Sequence, residues 1–251
     1  MAKTQGEKGR KNAKVVKSSK SSSATRGFFI LLGVIAVAGI AALSYLAAKP
    51  KSAASQWDSS LPKLTYAGHL EGSDSAMLEV IEFGDFECPA CGQFATLTEP
   101  DVRTHLIDSG VVSIRFVDFP LPMHANTWYA HRAAWCAGDQ GKFWPMHDAI
   151  YGYQDSWNTE ATDNPGKVLA GIAKGIGLNM DQYSSCIAAK KYQAQIQANA
   201  TEAEKRNVNE TPTFVFGTKI VGGSESYDQF KANVEQAIAA KAAAAKAPAK
   251  K

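Results

Sequence analysis

The chain has 251 residues, 45% of them hydrophobic and 20% charged, enough to bury a sizeable core. Its formal net charge of +3 is unevenly placed: residues 52–240 hold 13 Lys/Arg against 23 Asp/Glu, so the body is strongly acidic and the positive charge belongs to the ends. A nucleic-acid-binding body is excluded, because the folded part offers no basic surface.

Residues 1–26 carry eight Lys/Arg and one acid, Glu7, with many serines and little that is apolar. They read as a basic disordered tail. Residues 27–48, "GFFILLGVIAVAGIAALSYLAA", contain no charge over 22 positions. About 20 apolar residues span the hydrocarbon core, whereas the apolar core of a cleaved signal is about 7–15 residues long. A transmembrane signal-anchor is therefore preferred, with cleavage near Ala47–Ala48 left open. The positive flank precedes the span, so the N-terminus is expected in the cytoplasm and residues 49–251 outside it, in a periplasmic or extracellular space. Disulfides form and persist there.

Residues 49–75 read as a polar connector, with a short strand near "LTYAGHL". "AMLEVIEF" (76–83) has strand length and apolarity. "PACGQFATLTEPDVRTHLIDSG" has helical spacing, with Pro100 as a kink and Gly110 as a stop. "VVSIRFVDF" (111–119) alternates as a strand. Strand, helix and strand form a βαβ unit with Cys88 at the helix start. From about 123 to 208 the pattern is helical, and Pro145 is expected to bend its helix. "TPTFVFGTKIVGG" restores two strands around Gly217, and "ESYDQFKANVEQAIAAK" supplies a last helix. One domain over 76–240, interrupted by a helical insertion, fits this order, and 241–251 reads as a low-complexity tail.

Cys88 and Cys91 lie two residues apart in "FGDFECPACGQF". Structural zinc needs about four ligands. Cys136 and Cys186 stand singly, and His124, His131 and His147 bring no second ligand pair, so no metal is expected. A thiol at a helix N-terminus meets unpaired N–H groups that favour the thiolate, and Pro89 suits the first turn. Cys88 is then the exposed nucleophile and Cys91 the partner that closes or resolves the disulfide. Glu82, an acid inside an apolar strand, would have a raised pKa if buried and is the candidate proton shuttle for Cys91; an exposed strand edge is the alternative. Asp85 and Glu87 read as an acidic rim, and His124 and His131 as structural histidines without a chemical role. No glycine-rich phosphate loop occurs in the body, so no organic cofactor is implied.

"EFGDFECPACGQF", "FVDFPLPMHANTWYAHRAAWCAGDQGKFWPMHDAIY" and "TPTFVFG" together resemble the DsbA-like thiol:disulfide oxidoreductases of the thioredoxin superfamily, from about Leu78 to Ala240. The resemblance implies an α/β thioredoxin fold with an inserted helical domain, here preceded by the transmembrane helix. It makes Cys88 the catalytic nucleophile, Cys91 its buried partner, Glu82 the buried acid, Pro212 a cis-proline facing the cysteines and Thr211 the residue whose backbone pairs with a bound peptide. It also implies a structural disulfide between Cys136 and Cys186, the alternative being two free buried thiols. The chain departs from the most strongly oxidising members in its Pro-Ala dipeptide, since Ala90 replaces their histidine and offers the thiolate no donor. Glu87, if close, would oppose the thiolate, and both features point to a milder oxidant.

The expected function is that of an extracytoplasmic protein disulfide oxidase, monomeric, acting on reduced or unfolded proteins and reoxidised by a membrane partner. A reductase or isomerase of the same fold is the alternative. Outside that class stand a peptide-binding chaperone and a metal-binding module.

Overall fold

The structure is a computed structural model that describes residues 23–47, 55–56 and 68–246. Most of the basic tail, most of the connector with the start of "LTYAGHL", and the last five residues lie outside the described residues. The chain divides into two units, Met1–Lys51 and Ser52–Lys251.

The first unit contains α1, Ser23–Ala47. Its described side chains, over 28–40, are all exposed. Among the described residues no helix is long and apolar enough to cross a membrane, so the span at 27–48 is carried by sequence alone.

The second unit begins with the short strands β1 (Ser55–Gln56) and β2 (His69–Glu71), followed by β3 (Leu78–Gly84). A helical run then opens with α2 (Pro89–Gln93), passes through a π-turn at Phe94–Thr98, continues as α3 (Glu99–Val102) and ends in a second π-turn at Arg103–Ile107. Pro100 has no N–H to donate, so the ladder loosens beside it and the Glu99 N–H reaches back five residues to Phe94. Gly110, at φ +73°, ends the run. β4 (Val112–Asp118) completes the βαβ unit.

The insertion comprises α4 (Thr127–Gly138), α5 (Phe143–Gly152), α6 (Gln154–Trp157), α7 (Pro165–Gly175), α8 (Met180–Ala188) and α9 (Gln193–Lys205). Pro145 falls in the first turn of α5, where a backbone N–H would have no intrahelical acceptor, so its missing N–H breaks no ladder bond; the expected bend therefore has no cause there. The chain closes with β5 (Thr213–Phe216), β6 (Lys219–Gly222) and α10 (Tyr227–Lys246). α10 runs into the stretch read as a low-complexity tail, because that stretch is alanine-rich and alanine is the best helix former.

Among the described residues the sheet order is β1-β6-β5-β3-β4-β2, with β3 and β4 parallel and the other pairs antiparallel. Two of these strands, β1 and β2, come from the segment read as connector. β2 overlaps the end of "LTYAGHL", where the sequence predicts a short strand, whereas β1, two residues long, is too short to show an alternation.

The period of two along β3 decides what each side chain meets. Leu78 and Val80 join Phe94, Val102, Phe214 and Phe230 under the helices α2, α3 and α10, and Glu82 shares that face. Phe83 joins Val117, Val215 and the α9 residues Ala200 and Ala203 on the other face. A third core unites Phe86, Cys91 and Phe116 with Met146, Ile150, Trp157 and Leu169 of the insertion.

Two fixtures hold the insertion in place. Asp118, buried at the end of β4, accepts hydrogen bonds from His131 Nδ1 at 2.6 Å, Trp135 Nε1 at 2.8 Å and Asn199 Nδ2 at 2.7 Å. Cys136 on α4 and Cys186 on α8 are joined by a disulfide across 50 positions of sequence. Closing a loop of that length removes unfolded-chain entropy worth about 4 kcal/mol. The double variant Cys136→Ala/Cys186→Ala should therefore melt at a markedly lower temperature while keeping the thiol chemistry of Cys88. An unchanged melting temperature in calorimetry would contradict this.

Candidate active site

β3 ends at Gly84, and the next residues turn into α2 with Cys88 at its N-cap and Pro89 at the first helical position. The turn is fixed by Asp85. Its carbonyl accepts the Cys88 N–H at 3.1 Å and the Tyr151 hydroxyl at 3.3 Å. Its carboxylate accepts the N–H groups of Glu87 and Leu121, each at 2.8 Å, the Thr127 hydroxyl, and His124 Nδ1 at 2.7 Å. These bonds hold the Asp85 carboxyl below its usual range against the opposing effect of burial.

The pair read as an acidic rim is thus buried: Asp85 is inaccessible and Glu87 nearly so. Glu87 also turns away from the thiols. Its carboxylate accepts the Asn126 N–H at 2.8 Å and bonds both the N–H and the hydroxyl of Thr159. It satisfies three donors of the insertion.

Both thiols are free. Cys88, expected as an exposed nucleophile, keeps only 7% of its surface, and Cys91 keeps none. The cover comes from across the fold: the Thr211–Pro212 peptide is cis, and the Thr211 carbonyl accepts from Cys88 Sγ at 3.3 Å. Gln154 Nε2 donates to the carbonyls of Phe86 and Cys88 at 2.8 and 3.0 Å. It reaches them because position 92 is glycine; a Cβ there would lie 2.9 Å from its Oε1.

The two sulfurs are driven apart electrostatically. Cys88 is lowered to about 6, first by a hydrogen bond from the Cys91 thiol; burial opposes this, and Thr211 and the N–H groups of Cys91 and Ala90 assist. The Thr211 hydroxyl is buried and has no other hydrogen-bond partner. Cys91 is pushed well above the usual thiol range, by burial first, then by the bond to Cys88 and the charges of Cys88 and Glu82. One cysteine suits attack and departure, while the other holds its proton.

Glu82 is buried on β3, raised to about 8 by burial and by the charge of Glu71. Glu99, on the same helical run as the cysteines, is also buried and raised well above its ordinary value, by burial and then by Glu82. Each leaves its Oε2 without a partner. Sequence reading missed Glu99, although its spacing from Cys91 through Ala95 to Val102 follows the buried helical stripe. It also missed Gln154 and His124, whose contacts depend on the fold. Beside α2 a cavity of about 280 Å³ is lined by Pro89, Gln93, Leu97, Tyr151 and Gln154. A larger apolar groove, lined by Leu78, Phe216 and Ala237, lies at the opposite ends of β3 and β5 and takes no part in the site. Among the described residues no group of His, Cys, Asp or Glu could hold a metal ion.

The thioredoxin family model matches residues 65–236. The Na(+)/H(+) antiporter NhaA 1 of Salinispora arenicola is 34% identical over 174 residues, covering 68% of this chain but 25% of the antiporter. The chain thus spans about a quarter of the length of the antiporter relatives it matches, and antiport is not carried over. Disulfide bond formation protein D of Bacillus subtilis is 25% identical, with 68% of this chain and 77% of that protein covered. Among solved structures, alpha-DsbA1 of Wolbachia pipientis superposes with a TM-score of 0.63 at 22% identity, over 74% of this chain and 97% of that one. With the βαβ unit, the helical insertion and the ββα ending all in place, the chain belongs to the thioredoxin family.

Proposed function

We propose that the chain is a membrane-anchored, extracytoplasmic thiol–disulfide oxidoreductase that donates a Cys88–Cys91 disulfide to folding proteins. The opposed acidities of the two thiols carry this reading: a Cys88 sulfur lowered to about 6 beside a Cys91 thiol pushed far upward. The relative named for disulfide bond formation supports it, and so does the uncharged stretch at 27–48 behind a basic flank.

In the cycle a substrate thiolate attacks Cys88 Sγ in the disulfide, and Cys91 leaves and takes a proton. A second substrate thiolate then attacks the substrate sulfur of the mixed disulfide, and Cys88 leaves as a thiolate. The substrate dithiol has lost two electrons and the enzyme pair has gained them. A thiol of low pKa is the better leaving group, so Cys88 is the sulfur suited to be released. The Thr211 carbonyl beside Cys88 Sγ and the cis Thr211–Pro212 bond support Thr211 and Pro212 as the residues that meet the substrate backbone. Exposed Leu97 and Met123 offer apolar contacts to an unfolded chain. A membrane acceptor of electrons must restore the disulfide.

Equilibrating the full-length chain in detergent with glutathione buffers tests the direction. A reduction potential of about −120 to −180 mV, the range of strong oxidants and isomerases, is expected. A value near about −270 mV, where thioredoxin sits, would overturn the oxidase reading in favour of a reductase.

A further inference from the structure

His124 lies in the turn between β4 and α4, and Asp85 ties it to the cysteine pair. The Asp85 carboxylate accepts His124 Nδ1 at 2.7 Å, and the carbonyl of the same residue accepts the Cys88 N–H at 3.1 Å. The His124 side chain is 18% exposed, and no described residue bonds its Nε2. The groups acting on the imidazole are negative: Asp85 by hydrogen bond and charge, then Cys88 and Glu87 by charge, and together they raise its pKa against the effect of partial burial. His131, on α4, acts on Asp85.

We propose that His124 is a positioning residue that holds a positive charge facing the Cys88 thiolate, in the role that a side chain between the two cysteines would fill if Ala90 had a donor. This rests on the reading of Cys88 and Cys91 as the redox couple. The effect is reciprocal, because two sites that stabilise each other's charged forms do so equally. When a substrate dithiol passes two electrons to the disulfide, Cys91 takes a proton and Cys88 stays ionised. A negative charge then stands near His124 that was absent in the disulfide, so the imidazole binds its proton more tightly. Reduction of the pair thus draws a fraction of a second proton onto His124. Below the pKa of His124 the imidazolium favours the reduced pair and makes the chain the stronger oxidant; that advantage fades as pH rises through the pKa.

The test compares the full-length wild type with His124→Asn, which keeps a neutral donor for Asp85, and His124→Arg, which keeps the charge. The ultraviolet absorbance of the thiolate is titrated in each, and the His124 imidazole is titrated by NMR in the reduced and oxidised wild type. In His124→Asn the ratio of thiolate to thiol near neutrality should fall about threefold, and His124→Arg should restore it. The imidazole should titrate at higher pH in the reduced chain. Full thiolate in His124→Asn with loss in His124→Arg would show a purely structural role and overturn the proposal, as would an imidazole that titrates identically in both states. A wild type without a reversible thiol couple would instead overturn the redox reading itself.

Discussion

Cys91→Ala in the full-length chain should abolish oxidation of reduced substrates, while its Cys88 thiolate, offered a protein disulfide, should attack it, release the other substrate sulfur as a thiolate and remain in a long-lived mixed disulfide; Cys88→Ser should do neither. The asymmetry follows from where each sulfur sits. Cys88 caps the helix and retains a sliver of accessible surface, while Cys91 has none. Only Cys88 can be reached from outside, so only Cys88 can carry the substrate. Cys91 is the buried partner whose disulfide with Cys88 is the oxidising equivalent, and a mixed disulfide trapped on Cys88 without it lasts until a second thiol arrives.

The same variant also reports on electrostatics. The hydrogen bond from Cys91 is the first cause of the lowered Cys88 pKa. With a value of about 6, roughly nine-tenths of Cys88 is thiolate at neutral pH. Removing the Cys91 thiol must move that titration upward, so Cys91→Ala should also be alkylated more slowly at pH 6 to 7. Gel shift after thiol blocking and the pH profile of alkylation check the two halves. A Cys88→Ser chain that still protects unfolded protein from aggregation, beside a wild type without turnover, would favour the chaperone alternative.

The legible parts of this molecule are those governed by local chemistry. β3 and β4 show their strand character within seven residues each, and the β5–β6 hairpin is announced by Gly217, which takes φ +64°. The start of α2 could be placed because Cys88, Pro89 and the preceding apolar run are adjacent in sequence. The site beyond those neighbours is built from contacts over long separations. Asp85 meets Leu121, His124 and Thr127, and Glu87 meets Thr159. The rim expected at Glu87 is therefore buried, its carboxylate consumed by the insertion. His124 reads in sequence as a structural histidine, and its bond to Asp85, 39 positions away, exists only in the fold.

Glu82→Gln should make the chain more stable at neutral pH and slower as a catalyst. The folded carboxyl titrates at about 8 instead of 4.5, a raised acid pKa, so unfolding at pH 7 releases a proton. Stability from this group is fully present below about pH 4.5 and is lost as pH rises, until near pH 8 the folded carboxyl also ionises. At pH 7 the native acid therefore costs about 3 kcal/mol relative to a group that does not titrate. Gln has nearly the same shape and no such term, so the gain should be of that order at pH 7 and vanish near pH 4. For a domain of this size it amounts to several degrees in melting temperature. The cost to function arises at Cys91. Expelled into a buried site, its sulfur needs a proton, and Glu82, neutral below about pH 8, is buried on β3 where its charge acts on Cys91. Losing a general acid typically slows a step by about a hundredfold or more. The wild-type rate of disulfide transfer should therefore fall above about pH 8, and the variant should be slow and flat across that range. Stopped-flow rates and calorimetry across pH decide the matter together. A variant that is neither slower nor more stable at pH 7 would mean that Glu82 is charged and partnered in solution. A raised melting temperature with an unchanged rate would leave it a buried acid that the chemistry does not use.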